Sequence, residues 1–221
     1  MAGKRDFIGE LKAFVKRSAL AAGNGIGKPD TVRWGAILAA FAASEEISDE
    51  KLCEELRRHI VVSLVAVIQA SARRTIAEIV DGREQRGEEL PEPPDVKITI
   101  AMVRELKKRE FSIGELIAYF SPLGGFEQMS SALQRVSGED FNTILLNYFR
   151  DEENPEKLLA DARAQLVKLF QYRNIYCHEE GVGISLKHDE LHDLIVATIN
   201  GVGALLREKS RVTPDSSQNG E

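Results

Sequence analysis

The chain has 221 residues with an ordinary balance of 43% hydrophobic and 29% charged residues, which indicates one soluble globular domain. Its net charge of −6 gives no general attraction to nucleic acid, so RNA binding would require a local basic patch. The N-terminus lacks the apolar core of a signal peptide and charged residues interrupt the apolar runs, so we expect a cytoplasmic protein with no membrane span.

The first predicted element is an amphipathic helix over residues 4–21. A basic amphipathic helix can bind a membrane or nucleic acid, but it is more often a solvated face. The glycine-rich stretch 23–28 follows a helix instead of a strand and precedes Pro29, so we interpret it as a flexible connection and not as a phosphate loop. The apolar stripe of the helix comprises Phe7, Ile8, Leu11, Phe14, Val15 and Ala19. Its other side carries Lys4, Arg5, Lys12, Lys16 and Arg17.

Two further helices are predicted before residue 81. Asp30 is the expected N-cap of a helix to about residue 43, with Val32, Ile37, Leu38 and Phe41 buried. Ser48 opens the longest helix, which runs to about Val80 and can line a core or a dimer seam. Its apolar ladder is Leu52, Leu56, Ile60, Leu64, Ile68, Ala72 and Ile76. The best candidates for a phosphate-contacting patch, with a solvated face as an equal alternative, are Arg57, Arg58, Arg73 and Arg74.

The middle of the chain alternates short helices with breaks. Residues 81–94 contain glycines and prolines and are predicted to form an exposed loop, after which Asp95 is expected to cap a helix. Ser112 and Glu115 form a capping box, and shorter helices are predicted at 126–135 and 141–149. We interpret residues 85–150 as a helical insertion between two helix pairs of a single all-helical domain, residues 1–207.

The last two predicted helices lie at the end of this domain. Asn154 as N-cap and Pro155 at the first helical position begin a helix that runs to His178. A final helix is predicted over 187–207, and the polar residues 208–221 are predicted to be a disordered tail. Its predicted inward residues are Leu191, Leu194, Ile195, Ile199, Val202 and Leu206. With no recognisable strand or repeat, the predicted fold is an all-α helical bundle.

Polar residues suited to catalysis stand together at the end of the penultimate helix. Asn174 and His178 are four residues apart and therefore lie on one helix face, with Arg173 about 100° around the axis. The helix dipole alone favours arginine and histidine in a last turn, but asparagine within a helix calls for a polar partner. Tyr172 and Tyr176 flank the three residues and are further candidates for RNA contact.

Arg173, Asn174 and His178 match an Arg-x4-6-His signature with a polar residue after the arginine, and the chain resembles the HEPN superfamily (higher eukaryotes and prokaryotes nucleotide-binding). The helical layout from Ile47 to about Leu206 is similar too. The resemblance implies a helical bundle that dimerises and, in catalytic members, joins the motif residues of two chains in a cleft that cuts RNA without metal. Some relatives carry a tyrosine, adenylylated by a partner enzyme, where this chain has Glu180, so that route of silencing is not expected.

Metal-independent cleavage of RNA needs few protein groups, because the 2′-hydroxyl of RNA is the nucleophile. His178 can act as general acid and base, Arg173 can clamp the phosphorane, and Asn174 can orient them. We therefore hypothesise a homodimeric endoribonuclease of toxin or antiviral-defence type, with RNA as substrate and an antitoxin or defence-system protein as further partner. Glu179 and Glu180 argue against catalysis because their charges repel phosphate.

Neither a metal nor a cofactor is expected. His188 and His192, with Asp189 and Asp193, stand at helical spacing on the last helix, but no third ligand follows at a suitable distance, so a solvated helix start explains them better. Cys177 beside the motif histidine is a weak candidate for a nucleophile. The two cysteines of the chain are isolated and form neither a disulfide framework nor a metal-ligand pattern.

Two alternatives to a nuclease remain open. The first is a non-catalytic HEPN-like module that binds RNA or nucleotide or scaffolds an assembly. The second is a helical protein in which Arg173, Asn174 and His178 only tie helix ends together. Burial of these side chains in contacts between helices would favour the second alternative.

Overall fold

The computed structural model describes residues 9–10, 12–13, 29–91, 99–108, 110–178 and 186–212, without the side chains of 29–32 and 178. Within the described residues, eight helices lie between 29 and 212 and no strand occurs, so the predicted all-α class is confirmed. The helices are α1 (Pro29–Glu46), α2 (Glu50–Gln85), α3 (Ile100–Lys107), α4 (Ile113–Phe120), α5 (Phe126–Ser137), α6 (Phe141–Tyr148), α7 (Pro155–His178) and α8 (His188–Val212). Most of the predicted 4–21 helix, all of stretch 23–28, Asp95 and residues 213–221 lie outside the described residues.

Local capping signals set several of the helix ends. The capping box at α4 is complete, since Ser112 Oγ accepts a hydrogen bond from the amide of Glu115 at 3.0 Å while the Glu115 carboxylate accepts one from the Ser112 amide at 2.8 Å. Gly138 ends α5 with a left-handed φ of 85°. Two predicted caps are wrong. Asp49, not Ser48, caps α2 because its carboxylate accepts the free first-turn amides, and α1 begins at Pro29, which places Asp30 inside the helix.

The long helix α2 runs through the centre of the molecule and packs against α1, α4, α5, α7 and α8. Its predicted ladder is buried from Ile60 to Ile76, but Leu52 at its start is 56% exposed. A strict repeat of four residues advances 40° around a helix of 3.6 residues per turn at each step. The ladder therefore rotates off the core face towards the start of the helix, where Cys53 is the buried residue instead.

By length and composition, α2 is also the one described helix that is long and apolar enough to cross a membrane. However, 56% of its apolar window is buried inside the fold. A core helix of a soluble protein passes the same test, so this helix gives only weak evidence for a membrane span. Cytoplasmic localisation remains a prediction.

The short helices of the middle segment contribute to the same core as the long ones. Side chains of α5 and α6 that are at most 3% exposed join those of α2, α7 and α8 in one main cluster, among them Phe126, Met129, Leu133, Phe141 and Ile144. Residues 126–149 thus complete the core of the bundle. That segment 85–150 is an insertion relative to a simpler bundle remains a prediction.

Helix α8 continues to Val212, five residues beyond its predicted end. Glu208 is 3% exposed and receives two hydrogen bonds of 2.8 Å from Arg211, so residues 208–212 belong to the fold and not to a tail. Ile199 and Leu206, predicted to face inward, are 45% and 42% exposed. They lie to one side of the buried face, which follows from the 100° step of the helix.

Helix α1 is the least covered of the long elements. It packs chiefly against α2, which buries Ile37 and Ser44. The prediction that Leu38 is buried was wrong, because this residue lies next to Ile37 on the uncovered side and is 48% exposed.

Candidate functional site

Helix α7 carries the predicted catalytic residues at its C-terminal end. Pro155 begins the helix as predicted, and Ala162, Leu166, Leu169 and Phe170 are all buried, which fixes the orientation of its last two turns. They recur at the spacing that is typical of the buried face of a helix. The polar residues that follow them therefore project from a well-packed helix.

Arg173 and Asn174 are in direct contact. Nη1 of Arg173 donates a hydrogen bond of 2.9 Å to Oδ1 of Asn174, and the arginine is half-buried while the asparagine is exposed. The expected polar partner of Asn174 is thus its neighbouring guanidinium. His178 is the last residue of α7, but its side chain lies outside the described part, so its position relative to Arg173 remains a prediction from helical spacing.

The two tyrosines form a ladder with two cations beside the motif. The rings of Tyr172 and Tyr176 stack with centroids 6.2 Å apart, Lys168 Nζ lies 5.4 Å from the first ring centre, and the Arg58 guanidinium lies 5.6 Å from the second. Burial is the main cause that raises the pKa of Tyr176. Because both rings also pack against the main core, the ladder holds α7 against α2. Contact of the two tyrosines with RNA remains a prediction.

Two of the four predicted phosphate-contacting arginines lie at this end of the molecule. Arg57 donates a hydrogen bond of 2.8 Å to the carbonyl oxygen of Leu186, and Arg58 donates one of 2.7 Å to Glu55. Arg57 also lines a polar cleft of about 540 Å³ together with three glutamates of α1 and α2 and with His188. The structure therefore brings these arginines near the motif, but each already contacts a backbone or carboxylate oxygen.

The other two arginines are far from the motif. Arg73 is fifteen residues beyond Arg58 on the same helix, a separation of about 22 Å at a rise of about 1.5 Å per residue. Burial lowers the pKa of Arg73, and Arg74 lies beside it on the same helix. The four arginines predicted as one phosphate-contacting patch are consequently divided between two regions of α2.

The two histidines of α8 contact an aromatic ring and carboxylates instead of converging as metal ligands would. His188 stacks on Phe41 with ring centroids 4.1 Å apart, and its Nε2 lies 2.9 Å from a carboxylate oxygen of Glu45. His192 lies 3.7 Å from Asp193. In the part of the chain that the structure describes, no three metal-ligating side chains converge. His188 instead connects α8 to α1, a tertiary contact for which the sequence gives no signal.

No protein-family model, curated protein or solved structure matches the chain. The description of the candidate site therefore rests on the contacts within this chain. It consists of an oriented guanidinium at an exposed helix end, with a cation–π ladder and Arg57 on its flank.

Proposed function

We propose that the protein is a metal-independent endoribonuclease of toxin or antiviral-defence type, related to the HEPN superfamily and active as a homodimer. The observation that carries the proposal is the bond from Arg173 to Asn174, which holds the guanidinium near the exposed C-terminal end of α7. A guanidinium held in this way is suited to a phosphate, because its planar donors match two phosphate oxygens and its charge persists at any physiological pH.

The surroundings of Arg173 favour this proposal over a purely structural role. A residue that ties helix ends together would contact a carboxylate or carbonyl group on another helix. In the described part of the chain, the polar contact of Arg173 is instead with its own neighbour in α7. Arg57, in contrast, makes such a connection by bonding to the carbonyl of Leu186.

The reaction would use the groups in the following way. A histidine imidazole removes the proton of the 2′-hydroxyl, the 2′-oxygen attacks the adjacent phosphorus, and the 5′-oxygen leaves with a proton supplied by a second histidine. The products are a 2′,3′-cyclic phosphate and a free 5′-hydroxyl. Arg173 stabilises the charge of the phosphorane. Since each chain has one His178, two chains are needed to supply both an acid and a base.

Cleavage of labelled RNA in the presence of EDTA tests the proposal. The wild-type protein should leave cyclic-phosphate ends, while Arg173→Ala and His178→Ala should lower the rate by at least about 100-fold, the usual contribution of an acid–base or charge-stabilising group. Arg163→Ala and His192→Ala are matched controls, because Arg163 lies on α7 beside Glu127 and His192 is an exposed residue of α8. Both controls should cleave like the wild type.

Each other outcome has a defined meaning. Unchanged cleavage by His178→Ala would contradict the assignment of the catalytic residues. RNA binding without cleavage by the wild-type protein would favour the alternative, a non-catalytic HEPN-like module. Growth arrest on expression, relieved by His178→Ala, would favour a toxin and would justify a search for its antitoxin.

A further inference from the structure

The first half of α2 carries a row of exposed residues along one side. Between Leu52 and Ala66 the exposed residues are Leu52, Glu55, His59 and Val62, while the others are buried or half-buried. In a helix that advances 100° per residue, these four fall within about 80° of one another. Leu52 and Val62 are 56% and 38% exposed, so each end of the row is an apolar side chain that the fold leaves uncovered.

The order of these residues allows the row to pair with a second copy of itself. The intervals along the row are three, four and three residues, which is the same sequence of intervals in both directions. When two copies of α2 lie antiparallel and centred on position 57, Leu52 therefore faces the partner's Val62, and Glu55 faces the partner's His59. Apolar residues then meet apolar residues and a carboxylate meets an imidazole. A twofold-symmetric interface requires this kind of self-complementarity.

The two polar residues of the row can both form contacts between chains. Within the part of the chain that the structure describes, His59 makes no hydrogen bond or ion pair. Glu55 accepts a hydrogen bond of 2.7 Å from Arg58 in its own helix, but its side chain is 58% exposed and can contact a second donor. Opposite polar groups across an interface fix its register more than they add affinity.

Antiparallel pairing of α2 also brings the candidate sites of two chains together. The twofold axis of an antiparallel helix pair is perpendicular to the plane of the two helices. A feature beside α2 in one chain therefore lies on the same side of the pair in the other chain. Tyr176 of α7 lies beside Arg58, which is next to the centre of the pairing. The ends of both α7 helices consequently lie near the axis and on one side of the dimer.

We propose that this row on α2 is the homodimer interface of the protein, with two antiparallel copies of α2 in the register that joins Leu52 to the partner's Val62 and Glu55 to the partner's His59. The apolar contacts at the two ends exclude water, and the polar contacts between them set the register. The interface is defined without reference to RNA. Its importance for cleavage rests on the proposed function, which needs motif residues from two chains.

Analytical ultracentrifugation over a range of protein concentrations tests the interface. Val62→Asp places a charge against the partner's Leu52 twice in each dimer and should raise the dimer dissociation constant at least about tenfold. Val196→Asp is the matched control, because Val196 is 40% exposed on α8 and does not belong to the row. This control should dimerise like the wild type. Circular dichroism should show the wild-type helix content for both variants.

Two charge variants test the register. In a dimer of His59→Glu chains, two carboxylates face each other at both contacts, and Glu55→Lys removes the carboxylate that the partner's His59 contacts. Each variant alone should dimerise at least about threefold more weakly than the wild type. An equal mixture of the two variants should form heterodimers of about wild-type strength, because a carboxylate then faces a basic group at both contacts.

Spin labels measure the geometry without any substitution. Cys177 is exposed, whereas Cys53, the other cysteine of the chain, is buried. Double electron–electron resonance between labels on Cys177 of two chains should give a distance below about 40 Å. The path from one α7 through both α2 helices to the other α7 spans three interaxial distances of about 10 Å, and each label adds a few Å.

Several results would overturn the proposal. One is wild-type dimerisation by Val62→Asp, and another is heterodimers no stronger than the dimers of the single charge variants. A label distance well above about 40 Å would also contradict the antiparallel arrangement. A wild-type protein that stays monomeric at all concentrations would leave the row to a different protein or to RNA. A dimer that passes all these tests but does not cleave RNA would contradict the proposed function and support this interface.

Discussion

The carboxylate of Asp81, in the last turns of α2, accepts a hydrogen bond of 2.8 Å from the backbone amide of Gly114, at the start of α4. Its second oxygen accepts one of 2.7 Å from the hydroxyl of Ser112. An acidic side chain from one helix therefore supplements the capping of another and also stabilises the positive end of its dipole. This contact fixes where the start of α4 lies on α2.

Gly114→Ala should strongly destabilise the protein. A Cβ at this position would lie 2.1 Å from the carbonyl oxygen of Ala77 and 2.7 Å from the carboxylate of Asp81. A backbone oxygen within α2 cannot move aside without displacing the helix, so the expected loss is about 3 kcal/mol in the free energy of unfolding. Denaturant unfolding followed by circular dichroism measures it.

Gly35→Ala is the control for this substitution. Nothing lies within 4 Å of a Cβ at Gly35, an exposed position in α1. Because alanine is the better helix former, this variant should gain about 0.5–1 kcal/mol. Similar losses from the two variants would contradict the close packing of α4 on α2.

Truncation at two positions tests where the fold ends. Deleting residues 213–221 should leave the melting temperature within about 2 °C of the wild type, whereas deleting 208–221 should lower it by at least about 5 °C. The shorter chain loses the buried Glu208 together with Arg211, which also pairs with Glu139 at 3.3 Å, and it loses the ion pair of Lys209 with Glu78. Equal melting temperatures would support the original prediction of a tail from residue 208.

The starts of helices were predictable to within one or two residues where the signal is local in sequence, and Ser48 and Asp30 show the size of the error. Ser112 with Glu115 and Pro155 with its N-cap are patterns within a few residues, and the structure has helices beginning at both places. The burial of single residues was less predictable, as Leu52 and Leu38 show, because it depends on which neighbour covers each side of a helix. The sequence contains the periodicity but not the packing partners.

The surroundings of the candidate site depended even more on tertiary contacts. Arg58 lies over the ring of Tyr176, and Arg57 bonds to Leu186, more than a hundred residues along the chain. The sequence indicated that these residues had suitable chemistry, but it could not place α2 beside the end of α7. The distance between Arg58 and Arg73, in contrast, follows from their spacing on one predicted helix and could have been recognised from the sequence.

Glu190→Gln should destabilise the protein slightly and only above acidic pH. Lys168 donates a hydrogen bond of 2.7 Å to Glu190, which is the main cause that lowers the pKa of this carboxylate. A lowered folded-state pKa gives stability that is present above the unfolded pKa, about 4.3, and is lost as the pH falls through the folded value. Both side chains are 35% exposed, so the expected loss at pH 7 is below about 1 kcal/mol.

Thermal unfolding between pH 3 and pH 8 measures this difference. The melting temperatures of the wild type and Glu190→Gln should converge at the acidic end. Lys168 contributes in the opposite direction, since its pKa is raised, chiefly by the hydrogen bond to Glu190. That contribution is present below its unfolded pKa and is lost as the pH rises through the folded value. Glu153→Gln, an exposed control, should differ from the wild type at no pH.

Exchange of wild-type chains with His178→Ala chains should suppress ribonuclease activity if the site combines two chains. A mixed dimer keeps only one histidine in the shared cleft, and this histidine cannot be base and acid in the same step, so only wild-type homodimers should cleave. In an exchanged equal mixture about a quarter of the dimers are wild-type homodimers, and we expect about a quarter of the wild-type rate in EDTA at the same total dimer concentration. An equal mixture with Arg163→Ala chains instead should keep the full rate, because Arg163 lies beside Glu127, away from the motif. A rate of about half would show that each chain carries a separate site. In that case the single histidine of each chain would have to serve as both base and acid.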